Sequence, residues 1–277
     1  MEIWLTLINI SLSKMTKYIK TLSTISTLDI KQLIFFLKIF DKKIENIFLN
    51  YYSNKFDLEK ITLQLSFSPK EAKIFEFILK NFKPDKNLDN KYPQKDFLKL
   101  FLLARDFYKI KDGNVLINFL IFGLIQNTDL NLKQIKENLG ENILELVLKV
   151  KEILELQKTK NFDLKLAQDI VLKIKELKED FAIAQIIYYI FEILNLNIFT
   201  DEIKNNPTDL NIRKEIREKI IKYFAFKLFI VKNLTDLEHQ KIQELYADFF
   251  KVLNSNLNYL KRVWKIYIEM EEIEKEL

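Results

Sequence analysis

The chain has no cysteine, one histidine, three glycines and four prolines in 277 residues. Without cysteine there are no disulfides and no thiolate metal sites, which fits a reducing cytoplasm. A lone His239 leaves little for a zinc centre or for imidazole base catalysis. Few glycines and prolines mean few obligatory turns. No uninterrupted apolar run approaches the about eighteen residues of a membrane span. The opening MEIWLTLINISLSKMTKYIK has neither a basic n-region nor a small-residue cleavage site and is not read as a secretory signal, although Met15 offers an alternative start. No P-loop, dinucleotide-binding glycine pattern or EF-hand spacing occurs.

What is present points to helices. Hydrophobic residues make up 48% and charged residues 30%, the balance of a globular chain able to bury a large core. The apolar residues are mostly Leu, Ile and Phe set into Lys- and Glu-rich stretches, so the expected fold class is all-α. Lys and Arg number 44 against 39 acids, for a net charge of +5, too mild a bias to imply nucleic acid unless the charges cluster. The clusters between Lys83 and Lys95, and at Arg213, Lys214, Arg217, Lys219 and Lys222, are interleaved with acids in the manner of solvated surfaces. Most of the 23 Phe and 11 Tyr fall on apolar stripes, for example Phe97, Phe101 and Phe107. Tyr188-Tyr189 and Tyr223-Phe224 are set apart as candidates for a pocket lining or a dimer face.

Helix boundaries can be read in order. Residues 1–66 read as an N-terminal helical segment punctuated at Ser23–Asp29 and Ser53–Asp57. Asp29 and Asp57 are expected N-caps, and Leu33, Phe36, Leu37, Phe40, Ile44, Ile47 and Phe48 form one stripe. Ser68-Pro69 with Glu71 starts the next helix. The polar stretch KPDKNLDNKYPQKD follows, and Asp96 is expected to cap a helix beginning at Phe97. Residues 113–150 hold all three glycines, Gly113, Gly123 and Gly140. Leu116, Phe119, Leu120, Leu124 and Ile125 give one amphipathic helix; after Asn127-Thr128-Asp129, Leu132, Ile135, Leu139, Ile143, Leu146, Val147 and Val150 give a second. The expected organisation is 1–66, a main domain at 67–254 and a C-terminal helix at 255–277.

The order of residues in GNVLINFLIFGLIQNTDLNLKQIKENLGENILELVLKV resembles the hydrolase domain of the Rel/SpoT alarmone enzymes, and the likeness extends over roughly residues 68–253. FKPDKNLDNKYPQKDFLKLFLLA lies against that family's histidine-containing pattern from Phe82 to Ala104, EDFAIAQIIYYIFEILNL against its LADRLHN helix, and ELYADFFKVL against the end of its domain. With only a short remainder after Leu253, the nucleotide-synthesising domain that commonly follows is not expected. The resemblance implies an HD-type helical bundle in which two histidines and two aspartates hold a divalent ion that activates water against a pyrophosphate.

Carried over position by position, the four ligand positions are Asp96, Phe122, Gly123 and Ile190. Three of them have no side chain able to ligate. The family's first histidine falls on Phe82, its basic pair on Asn87 and Leu88, its Glu-Asp pair on Gln126 and Asn127, and the asparagine after its last aspartate near Leu194. Thr128 is retained. Amides can hold a water molecule but cannot act as a general base near neutral pH.

The resemblance therefore implies a pseudo-hydrolase, a regulatory or protein-interaction module with no cofactor and no metal. Its expected partner is a protein or a guanine nucleotide; a membrane or nucleic acid is not expected, and a homo-oligomer is compatible. Two alternatives stand beside it. A divergent phosphohydrolase acting on ppGpp-like nucleotides would need Asp96, Asp163, Asp169 and Asp180 to gather around a relocated metal. A helical scaffold unrelated to HD hydrolases would show regular antiparallel pairs, but no clean repeat period is present.

Overall fold

The computed structural model describes Ser26 and residues 28–52, 58–81, 96–129, 131–158, 162–194, 210–255 and 266. It is all-α: 87% of this part is helical, without strands. Among the described residues no helix is long and apolar enough to cross a membrane. Two compact units divide the chain, one from Asp29 to Leu156, the other formed by the described residues from Gln157 onward with Ser26 and Leu28. These boundaries differ from the 66/67 and 254/255 breaks expected from the sequence.

Among its described residues the first unit contains seven α-helices and a π-helical segment, Leu103–Phe107, that continues the fourth. The α-helices are α1 (Ile30–Tyr52), α2 (Leu58–Leu65), α3 (Pro69–Lys80), α4 (Asp96–Leu102), α5 (Gly113–Asn127), α6 (Leu132–Leu139) and α7 (Glu141–Gln157), whose last residue belongs to the second unit. Local signals set their starts. Asp29 Oδ1 accepts from the backbone N–H groups of Lys31 and Gln32 at 2.9 and 3.2 Å. Ser68 and Glu71 form a reciprocal capping box with Pro69 at the first position, which satisfies two otherwise orphaned donors. Asp57 and the side chain of Phe48 lie outside the described residues.

Helix α5 is the centre of this unit. Every residue from Val115 to Leu124 is buried, so the helix is buried all round rather than amphipathic as expected, with Asn118 the one polar residue of the run, and it must be enclosed by other helices. Helices α3 and α4 pack against it, and α1 packs against α4. Phe67 joins α3 to α4, its ring 5.2 Å from Phe75 and 4.9 Å from Phe101. The single second stripe expected from Leu132 to Val150 is two helices, α6 and α7. Gly140 separates them at φ 92°, a conformation that favours glycine because it has no Cβ.

In the second unit, α8 (Leu164–Glu176) meets α9 (Lys178–Leu194) at Leu177, and α10 (Leu210–Leu234) leads through one short 3₁₀ turn to α11 (Gln240–Asn254). Helix α9 packs on α11 and α8 on α10. Phe181–Ile187 of α9 are buried without interruption. Ser26 Oγ donates to Asp248 Oδ1 at 2.6 Å, tying the residue before the first unit to α11. Burial raises the Asp248 carboxyl, against the pull of that bond and of Lys241 and Lys251.

Candidate functional site

The positions singled out by the family resemblance fall in different surroundings. Phe122 and Gly123 are buried on α5. A Cβ built on Gly123 would stand 2.5 Å from the Phe97 ring, so the glycine lets α4 and α5 approach closely. Asn127 is buried too, and its Nδ2 donates to the Gly123 carbonyl oxygen at 2.9 Å. Gln126, between them in sequence, is exposed. Thr128 closes the helix by donating from Oγ1 to the Leu124 carbonyl at 2.7 Å.

Asp96 does not cap the helix from outside. It is the first residue of α4, exposed, with Oδ1 3.4 Å from Lys99 Nζ. There its charge suits the positive end of the helix. Lys99 also meets Asp41 of α1 at 2.6 Å. Ile190 lies in α9, in the second unit, and is fully buried. Asn87, Phe82 and Leu88 lie outside the described residues, as do the lysines from Lys83 to Lys95.

The acids proposed for a relocated metal have other roles or settings. Asp163 caps α8, accepting from the Leu166 N–H at 2.8 Å; Asp169 is exposed along α8, and Asp180 sits in the first turn of α9. Among the described residues no three His, Cys, Asp or Glu side chains gather as a set that could hold a metal ion. In the basic run of α10, Lys219 pairs with Glu215 one turn earlier at 3.0 Å. The side chains of Arg213, Lys214 and Arg217 are outside the described residues.

The chemically distinctive arrangement is inside the second unit. On α9, Gln185, Tyr189 and Glu192 are four and then three residues apart, on one helical face. Tyr223 and Lys227 have the same relation on α10. Lys227 is 2% exposed, with Nζ 3.4 Å from Glu192 Oε2. The ammonium also lies 3.8 Å from the centre of the Tyr189 ring and 5.0 Å from that of Tyr223, distances at which an aromatic face attracts a cation. Tyr223 Oη donates to the same Glu192 oxygen at 2.6 Å, and Phe162 packs against Tyr223 with ring centres 5.4 Å apart.

Electrostatics follow from this enclosure. Burial pushes the Lys227 ammonium below its ordinary range, opposed by the charge and hydrogen bonding of Glu192. Burial and then the Glu192 charge hold both Tyr189 and Tyr223 well above the usual phenol range. The amides of Gln157 and Gln185 act in the opposite sense on Tyr189. They stand near its hydroxyl, yet neither makes a bond of good geometry to it. Tyr189 Oη, Gln157 Nε2 and both polar atoms of the fully buried Gln185 have no hydrogen-bond partner among the described residues. Such atoms carry an uncompensated desolvation cost.

The sequence reading set apart Tyr188-Tyr189 and Tyr223-Phe224 without the charges between them. Tyr189, Tyr223 and Phe224 are buried and Tyr188 is half-buried. A signal for the missed pair was available: Lys227 interrupts the apolar run from Tyr223 to Val231, and Glu192 stands four residues after Tyr188. His239, read as a loop or helix-start residue, is the N-cap of α11, where Nδ1 accepts from the Lys241 N–H at 3.1 Å. The chain matches no protein-family model, no curated protein and no solved structure.

Proposed function

We propose that the chain is an HD-domain-like pseudo-hydrolase, a regulatory module that acts by binding a protein partner or a guanine nucleotide rather than by turning one over. One observation supports this most: three of the four positions that would carry the metal ligands, Phe122, Gly123 and Ile190, are buried and have no donor side chain, and the fourth, Asp96, is exposed beside Lys99. Phe122 and Ile190 are 1% and 0% exposed, and Gly123 serves the approach of Phe97. A divalent-metal hydrolase needs oxygen or nitrogen donors aimed into a wet cavity, and side chains of this kind exclude both. Neither alternative has a specific observation in its favour. The relocated-metal reading finds no donor set among the described residues.

Calorimetric titration of the full chain with ppGpp, with and without manganese, tests the proposal when followed by chromatography for released pyrophosphate. Binding without pyrophosphate supports a nucleotide-sensing relic. Turnover overturns the proposal. Absence of both leaves the protein-binding form of the same reading, to be sought among protein partners.

A further inference from the structure

Helix α1 presents two different faces. Leu33, Leu37, Phe40, Ile44 and Ile47 are buried against the first unit. On the opposite side Ile34, Phe35 and Ile39 are 41%, 60% and 43% exposed. At about 100° per residue, these three share an arc of about 140° with Lys31, Lys38 and Lys42, all of them exposed. None of these lysines has an ion-pair partner among the described residues; the nearby Asp41 is taken by Lys99. Glu45, inside the arc and next to Lys38, is its only acid among the described residues.

We infer that this exposed face of α1 is a peripheral docking surface for an anionic lipid bilayer. Charge complementarity decides the occupant. Lysine is depleted from the cores of protein interfaces, and here three lysines interleave with the apolar side chains that would have to form such a core. A bilayer surface accepts the combination: phenylalanine and isoleucine enter the acyl boundary, while the lysine stems lie along it and their ammonium groups reach lipid phosphates. The surface is one side of a single helix, 23 residues long, or about 34 Å, suited to lying in the interface plane. The sequence reading expected no membrane partner, and this contact is of a different kind from a span. It is independent of the pseudo-hydrolase reading.

Flotation of the full chain with phosphatidylcholine vesicles, with and without about 30% phosphatidylserine, tests the inference. Binding is expected on the anionic vesicles alone and is lost in about 0.5 M salt. Phe35→Ser lowers it several-fold, whereas Leu172→Ser, at an exposed apolar residue of the other unit, leaves it unchanged. Replacing Lys31, Lys38 and Lys42 together by Glu lowers binding roughly a hundredfold, at about fivefold per lysine. The charge-matched variant with Glu at Lys133, Lys149 and Lys165 keeps most of it, and circular dichroism melting confirms that all variants fold. Equal loss in the two triple variants would reduce the effect to net charge and overturn the inference. So would absence of vesicle binding, or capture of a soluble acidic amphipathic helix in preference to vesicles.

Discussion

The two units solve the problem of a helical core in opposite ways. In the first, the core is made specific by shape: α5 is buried on all sides, and a ring from α4 occupies the space where a Gly123 side chain would be. In the second, a buried ammonium on α10 meets a partly buried carboxylate on α9 and is flanked by tyrosine rings. Shape tolerates swaps that conserve volume, but a buried charge tolerates no loss of its partner. The second unit should therefore be the more fragile to isosteric substitution.

The largest expected effect is at the ion pair. Glu192→Gln keeps an acceptor for Tyr223 but leaves the Lys227 cation uncompensated, and should cost about 3–5 kcal/mol in denaturant unfolding. Adding Lys227→Met should restore most of that loss; a single-mutant cost below about 1 kcal/mol would show that the pair does not govern this core. Alkali should expose the same unit. The tyrosines are held protonated in the folded state, so their contribution is complete below pH 10 and is lost as pH rises through their raised folded values. Each would then weaken folding by about 1.4 kcal/mol per pH unit above 10. Lys99, whose own value is raised by its acidic neighbours despite burial, acts in the same sense from the first unit. Lys227, being lowered, acts in the opposite sense, adding stability as pH rises toward 10.5. Thermal melts of Tyr189→Phe between pH 9 and 11 should show a shallower decline than the unmodified chain.

Gly123→Ala tests the first unit, with an expected cost of about 1–3 kcal/mol from overpacking. Pairing it with Phe97→Leu should cost less than the sum of the two changes, because the substitutions share one space. Gln185→Met should be opposite in sign, stabilising by about 1 kcal/mol, since it removes two unpartnered polar atoms at nearly constant volume. Ser68→Ala should have a similar magnitude and be unfavourable, through loss of the capping box. If Gln185→Met instead destabilised, those amide atoms would have to be engaged in the folded protein.

Features that depend on near neighbours in sequence were legible. The all-α class, the cap at Asp29, the box at Ser68-Glu71 and the buried stripe through Leu33, Leu37, Phe40, Ile44 and Ile47 follow from periodicity and capping chemistry within a few residues. Features that depend on contacts across the chain were not. Gly123 reads as a lost ligand until Phe97 is placed over it. Val115–Leu124 reads as amphipathic because the polar spacing of the flanking residues dominates the pattern. The Glu192–Lys227 pair joins residues 35 positions apart, and each looks like an ordinary surface charge in isolation. Gly140 is one of only three glycines, but only its backbone angle shows that it divides one stripe into two helices.

The cap at the start of α11 makes the protein its own spectroscopic reporter. With His239 as the sole histidine, every imidazole resonance belongs to that position and needs no assignment. When Nδ1 of the neutral ring accepts the Lys241 N–H, the ring proton is on Nε2. The tautomer thus reads directly whether α11 has begun at its proper residue, and fraying of that first turn would register in a single nitrogen signal before the rest of the helix loosened.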